Sequence, residues 1–342
     1  MSAHPFLFPF ATEDRWISYL ESCLRWQHND IAKAKILLRR KIIPVLRGPE
    51  LGIFLGVSPK LVCRMVLAAP RYYSAFKIKK KNGEYREINA PRVFLKTVQR
   101  YILDCVLGPV KPHKCAVGFR RSFSPATGAE RHVGHKFVWN IDLRDFFPSI
   151  KKEMVTTVFE KIGLPHKGAY FLAGLCCLEG KLPQGAPTSP ALANLVFIQA
   201  DRRIANLAQK HGITYTRYAD DLTFSYDEPI DPAFRKTVTE MVGQLGFSIN
   251  TRKTRLMGPR CRREVTGLTV NEKVSIPRTV RRKLRAMFHK VSQNPEEFAD
   301  AREKLLGFAS WVSVYHPADG SRYRDVALRI PFKEIQKARE ES

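Results

Sequence analysis

Acidic residues are few in this chain: 32 Asp and Glu face 58 Lys and Arg, leaving a formal net charge of +26 across 342 residues. That shortage favours a polyanionic partner, because each phosphate neutralised by a cation releases counterions. Charge alone does not separate an enzyme from a basic binding module. Long apolar runs are also missing. None approaches the roughly 20 residues that cross a bilayer, which excludes a membrane-spanning helix and a membrane partner. Residues 1–10 lack the basic-then-apolar pattern of a secretory leader. Cysteine is confined to seven scattered positions without paired metal-ligand spacing. This argues against a disulfide scaffold and suits a reducing cytoplasm, with Cys176 and Cys177 reading as core residues. Internal repeats and low-complexity tracts are absent, which excludes a solenoid. A chain of this length still has room for a large core and more than one subdomain.

What the chain does contain is Tyr218-Ala219-Asp220-Asp221, flanked by Ile213-Thr214-Tyr215-Thr216-Arg217 and Leu222-Thr223-Phe224-Ser225-Tyr226. The β-branched and aromatic flanks predict two strands joined by a tight hairpin turn. Asp is common in turns for local hydrogen-bonding reasons, so an isolated pair means little. Adjacent acids at a hairpin tip repel by on the order of a few kcal/mol at an effective dielectric near 20, a cost that a divalent cation removes. A third acid lies upstream. Lys136-Phe137-Val138-Trp139-Asn140-Ile141 reads as a buried strand that delivers Asp142, which is preferred over Asp145 because it follows the apolar run directly. Oxygen ligands suit Mg²⁺. Two such ions, about 3.5–4 Å apart, activate an attacking hydroxyl and stabilise a leaving oxygen. Between the acids, Leu182-Pro183-Gln184-Gly185-Ala186-Pro187-Thr188-Ser189-Pro190 forms a Gly/Pro loop before a helix. Ser189 is placed to cap that helix, and Pro190 suits its first turn.

In this order the three segments resemble the polymerase motifs of reverse transcriptases, and most of all those of the bacterial retron-type enzymes. Phe76-Lys77-Ile78-Lys79-Lys80-Lys81-Asn82-Gly83 with Arg86-Glu87-Ile88 resembles the fingers motif. Gly246-Phe247-Ser248-Ile249-Asn250 with Lys253-Thr254 resembles the next palm motif, and Val265-Thr266-Gly267 is a tripeptide typical of retron enzymes. Gly128-Ala129-Glu130-Arg131-His132 keeps the Ala and His of the retron element Asn-Ala-x-x-His and departs from it at the Asn. The likeness spans roughly residues 70 to 290.

The resemblance implies an α+β fold with right-hand polymerase architecture: fingers, a palm with an antiparallel sheet, and a helical thumb. Pattern shifts place a helical region at 1–68, fingers and palm at 69–271, and a basic helical thumb at 272–342. Within 1–68, residues 52–66 read as a short helix–turn–helix, more a packing unit than a DNA reader. The implied activity is RNA-directed DNA polymerisation on a structured noncoding RNA. Priming from an RNA 2′-hydroxyl would give branched RNA–DNA (msDNA), in antiphage defence with a separate effector protein, in the bacterial cytoplasm. Asp142, Asp220 and Asp221 would be catalytic and, with Leu143, would bind two Mg²⁺, for which Mn²⁺ is a possible substitute. Lys79, Lys80 and Arg86 would hold the triphosphate of a dNTP, and Gln184 would contact its sugar. Phe147 would exclude a 2′-hydroxyl, and Lys253 would protonate the leaving pyrophosphate. Val265, Thr266, Gly267, Arg278, Arg281, Arg282 and Arg285 would contact nucleic acid. The competing readings are a stand-alone defence or group II intron-like reverse transcriptase without 2′-hydroxyl priming, and a catalytically silent RNA-binding module.

Overall fold

Alternation of side chains along two strands decides where the site lies. In Phe137–Arg144, Trp139, Ile141 and Leu143 are buried on one face, so Val138, Asn140 and Asp142 occupy the other. In Asp221–Tyr226, Leu222 and Phe224 share the core face, leaving Asp221, Thr223 and Ser225 opposite. The structure is a computed structural model that describes residues 17, 18, 21, 22, 24, 26–79 and 83–331.

Residues 17, 18, 21, 22 and 24 are helical, and helices α1 (His28–Arg39), α2 (Glu50–Leu55) and α3 (Pro59–Leu67) follow. Gly56 ends α2 at φ 65° and turns the chain into α3, in keeping with the spacing of Gly56-Val57-Ser58. Strands β1 (Tyr73–Lys79) and β2 (Tyr85–Pro91) then form an antiparallel hairpin, with Tyr73 opposite Pro91 and Lys79 opposite Tyr85. Helix α4 (Val93–Ile102) runs into a π-helical segment at Leu103–Leu107. The short α5 (Pro125–Ala129) precedes β3 (Phe137–Arg144). Five helices follow: α6 (Phe146–Ser149), α7 (Lys152–Ile162), α8 (His166–Cys176), α9 (Ser189–Val196) and α10 (Ile198–Lys210). The hairpin β4 (Thr214–Tyr218) and β5 (Asp221–Tyr226), α11 (Pro232–Gln244), β6 (Ser248–Ile249) and β7 (Arg255–Met257) complete the central unit. Its antiparallel sheet runs β4-β5-β3-β6, and β7 also pairs with β3. A small hairpin of β8 (Glu264–Val265) and β9 (Leu268–Thr269) leads into α12 (Arg278–Gln293), α13 (Arg302–Tyr315) and α14 (Pro317–Leu328). A basic hairpin, a central antiparallel sheet backed by helices and a terminal helical module make up the right-hand polymerase architecture: fingers, palm and thumb.

Two apolar cores hold this together. The first gathers the described N-terminal helices and the buried face of the sheet, from Trp26 to Phe247, so that these helices share the palm's interior. The second joins Ala126, Ala129 and Val138 to Met257, Val265, Leu268 and the last three helices. The β8–β9 hairpin sits in this second core between Ala126, Ala129 and Val138 on one side and the last three helices on the other.

Two local expectations are corrected. Ser189 does not cap α9: its hydroxyl turns back across the loop to the Pro183 carbonyl at 2.7 Å, and the cap position is Thr188. Asn294-Pro295-Glu296-Glu297 reads as a helix cap with a packing helix from Phe298 to Val314, but the helix starts only at Arg302, because Pro295–Ala301 winds as a tighter 3₁₀ segment with Phe298 and Ala301 against the second core.

Candidate active site

The site forms where three chain segments meet at the end of the palm sheet. Antiparallel register sets Asp142 of β3 directly opposite Asp221 of β5. The turn between β4 and β5 has two residues, and Ala219 adopts φ 56°, a conformation in which glycine is normal at the first position of a type II′ turn. This turn brings the Asp220 carbonyl within 3.0 Å of the Leu143 amide. From the third segment, the Asn250 amide donates to the Asp142 carbonyl at 2.8 Å, and the Lys253 ammonium donates to Asp142 Oδ1 at 2.9 Å. Asp145, the alternative third acid, is exposed beyond the strand end at φ 45°.

Electrostatics favour a cation here. Burial, and then the neighbouring Asp220 and Asp142 carboxylates, push Asp221 up to about 7. Burial likewise raises Asp220, opposed by its own main-chain hydrogen bond and by the positive charges of Lys253 and Arg86. Among the described residues, no group of three or more His, Cys, Asp or Glu side chains forms a preassembled metal cage. Mg²⁺ does not require one, since it keeps several waters and binds through one or two carboxylates plus substrate phosphates. An all-oxygen donor set in which burial raises the Asp220 and Asp221 carboxyls fits such an ion. Leu143 offers a metal only its main-chain carbonyl, because its side chain, buried in the core, carries no donor atom.

Around the carboxylates the structure separates two sides. On one, Phe147 is half-buried, with its ring 6.2 Å from Phe119, which in turn lies 6.1 Å from Tyr218. Phe146 beside it is a core residue at 3% exposure. The Gln184 carbonyl accepts the Asn89 amide at 2.8 Å, joining the Gly/Pro loop to β2. Arg86 and Lys79 are exposed on the fingers hairpin. Lys80 lies outside the described residues. On the other side, a cavity of about 350 Å³ runs along the polar face of the sheet past Asn140, Thr223, Arg255, Glu264, Thr266 and Gly267.

Residues 78–294 match the family described as Reverse transcriptase (RNA-dependent DNA polymerase). The chain is 36% identical over 319 residues to the Retron Mx65 reverse transcriptase of Myxococcus xanthus, covering 86% of this chain and 74% of that one. It is 34% identical over 299 residues to the Retron Ec86 reverse transcriptase of Escherichia coli, covering 86% and 91%. The chain belongs to the retron-type reverse transcriptases. The enzyme is thus an RNA-directed DNA polymerase with an RNA template as partner, and the silent-module reading is set aside. Among solved structures this reverse transcriptase resembles telomerase from Candida albicans, with a TM-score of 0.45 and 11% identity over 75% of this chain and 55% of that one. Among the described residues, no helix is long and apolar enough to cross a membrane.

The two retron elements of this reverse transcriptase meet in space. Thr266 and Gly267, at φ 50° and 80°, form the tip of the β8–β9 hairpin, and the Thr266 hydroxyl donates to the Pro125 carbonyl at 3.0 Å. Val265 is corrected from a nucleic-acid contact to a packing residue, since it is 1% exposed within the second core. His132, at the end of the other element, is fully buried, its ring nitrogens 2.7 Å from the Ser225 and Thr216 hydroxyls. In α12, Arg278, Arg282 and Arg285 line an exposed stripe opposite the buried Leu284, Phe288 and Val291. Arg281 turns instead toward Asp319 at 3.5 Å.

Sequence reasoning passed over Asn140, whose amide nitrogen donates to the Glu264 carbonyl at 2.7 Å and whose position two residues before Asp142 fixes it on the same face. A polar residue interrupting an apolar strand was the available signal. Phe119 carried no such mark.

Proposed function

We propose that the site performs template-directed nucleotidyl transfer from dNTPs, primed from a 2′-hydroxyl of a bound structured RNA to give branched RNA–DNA. The observation that carries this reading is the register placing Asp142 opposite Asp221, beside Asp220, where burial raises the Asp220 and Asp221 carboxyls. Two divalent ions, Mg²⁺ in the cell, would supply Lewis acidity to the attacking hydroxyl and to the leaving phosphate oxygens.

The chain's own residues supply the rest. Asp142, Asp220 and Asp221 present oxygen ligands, and the carbonyl of Leu143 adds a main-chain donor. Arg86, with Lys79 and Lys80, draws the triphosphate under the fingers hairpin. Phe147, stiffened by Phe146 and Phe119, closes the space that a ribose 2′-hydroxyl needs, and Gln184 meets the sugar. Lys253 balances the charge of Asp142 before substrate arrives and donates a proton to the leaving pyrophosphate. Thr266, Gly267, Arg278, Arg282 and Arg285 line the path of template and primer. The matched relatives are named as retron enzymes, and this supports the branched product. On this reading the enzyme would act in antiphage defence together with a separate effector protein.

The test is primer extension by Asp220→Asn. A fall of at least a thousandfold with an intact fold is expected, and near-wild-type extension would remove the assignment. For the branched product, nucleic acid co-purified from the native locus should carry DNA joined to RNA through a 2′ linkage. Unbranched DNA would leave a polymerase without 2′ priming.

A further inference from the structure

The Ala219 turn is held from behind, on the face of the sheet away from the carboxylates. Arg217 lies there with 0% exposure. Its Nε and Nη2 donate to Oδ1 and Oδ2 of Asp201 at 2.9 and 2.7 Å, a two-pronged pair joining β4 to α10. Its Nη1 reaches the turn itself, donating to the Ala219 carbonyl and to Asn194 Oδ1, both at 3.1 Å. Asn194 of α9 donates in turn to the Gly118 carbonyl at 2.9 Å. Gly118 presses on the turn so closely that a Cβ there would sit 2.9 Å from the Ala219 nitrogen. Tyr215 donates its hydroxyl to Asp201 Oδ1 at 2.9 Å, and the Phe197 ring lies 4.7 Å from the guanidinium carbon.

Stability alone gives a weak reason for this arrangement. Apolar residues of similar volume usually serve a core as well as a buried ion pair does. What the pair supplies is geometry. A guanidinium can bind a carboxylate with two nitrogens and still aim a third elsewhere, which an ammonium cannot do. The third nitrogen here lands on the carbonyl of a residue held in a conformation that L-residues rarely adopt.

We propose that Arg217, Asp201 and Asn194 are positioning residues for polymerisation: they hold the Ala219 carbonyl, and through it the spacing of Asp220 from Asp142 and Asp221. This rests on the assignment of the three carboxylates to catalysis. The residues act on the rate of the chemical step and leave nucleotide binding, on the far side of the sheet, largely alone.

The experiment is steady-state primer extension by Arg217→Lys, alone and combined with Ala219→Gly. The single variant keeps the charge beside Asp201 and loses the third contact. Its kcat is expected to fall at least tenfold, with KM for dNTP within twofold of wild type. Adding Ala219→Gly is expected to restore most of that loss, since glycine adopts the turn without being held. A merely structural role would lower Tm and leave the kcat of the folded fraction unchanged, with nothing for the turn glycine to restore. Should Arg217→Lys fail to fold, Asn194→Ala leaves the ion pair in place and is expected to show the same split at several-fold amplitude. Wild-type kcat in a folded variant overturns the proposal, and so does a deficit that Ala219→Gly leaves untouched. Asp221→Asn in the same assay separates the two assignments: lost extension sustains the carboxylate reading whatever Arg217 does, and retained extension overturns that reading first.

Discussion

His132 shows how a residue can match a sequence element that does not disclose its place in the fold. It stands three residues after Ala129 in a retron element. The ring is enclosed between Thr216 and Ser225, beneath the strands that carry the Ala219-Asp220 turn. Burial first, and then the positive charges of His135 and Arg131, lower its proton affinity to about 3. An unfolded histidine takes its proton near pH 6.5. Between pH 6.5 and 3 the unfolded chain therefore binds more protons, so stability is full above that window and falls as pH drops through it. The slope from this one residue is at most about 1.4 kcal/mol per pH unit. His132→Gln keeps a donor and an acceptor and removes the titration. Its Tm should fall less steeply than wild type between pH 6.5 and 4; parallel acid limbs would refute the assignment. Asp142, Asp220 and Asp221 were legible because a strand pattern and a turn pattern delivered them. Arg217 sat beside them in the sequence unnoticed, because an Arg in a strand reads as exposed until a buried partner is found, and Asp201 lies on a separate helix.

At the scale of elements, strands announced by alternation were legible and their partners were not. The β4–β5 hairpin follows from its flanks and its two-residue turn. That β3 pairs with β5, β6 and β7 depends on contacts across most of the palm, and no local propensity encodes those. Helix starts were the least legible, as Ser189 and Arg302 show, because tertiary contacts overruled the local cap signals. One junction between elements was hidden in a glycine. Gly185 adopts φ +127°, and a Cβ there would stand 2.9 Å from Ile88 Cγ2 and 3.0 Å from the Asn89 carbonyl oxygen. The glycine lets the loop before α9 lie against fingers strand β2 and share a hydrogen bond with it. Gly185→Ala should destabilise the fold by about 1–3 kcal/mol through overpacking and a strained φ. It should also raise KM for dNTP by tilting β2, which carries Arg86. Denaturant melts and extension kinetics check both, and an unchanged KM would disconnect the loop from nucleotide binding.

For the whole molecule, the excess of 58 basic over 32 acidic residues reports an affinity without an address. The structure gives part of it an address along α12, where Arg278, Arg282 and Arg285 recur on the side away from the second core. Arg282→Ala and Arg285→Ala should each weaken primer–template binding uniformly across sequences and lower the salt dependence of log K by about one unit. Binding measured from 50 to 300 mM salt tests this, and an unaltered slope would place the duplex elsewhere. The second core carries a further consequence. Its members come from residues 126–138 and again from 257–330, so strand β3, which bears Asp142, borrows the cover for Val138 from chain made more than a hundred residues later. Contacts of such separation form late and slowly. On a ribosome, the strand bearing Asp142 emerges long before the helices that will shelter it. The growing chain thus passes through an interval in which Val138 lacks the cover that the last helices will give it.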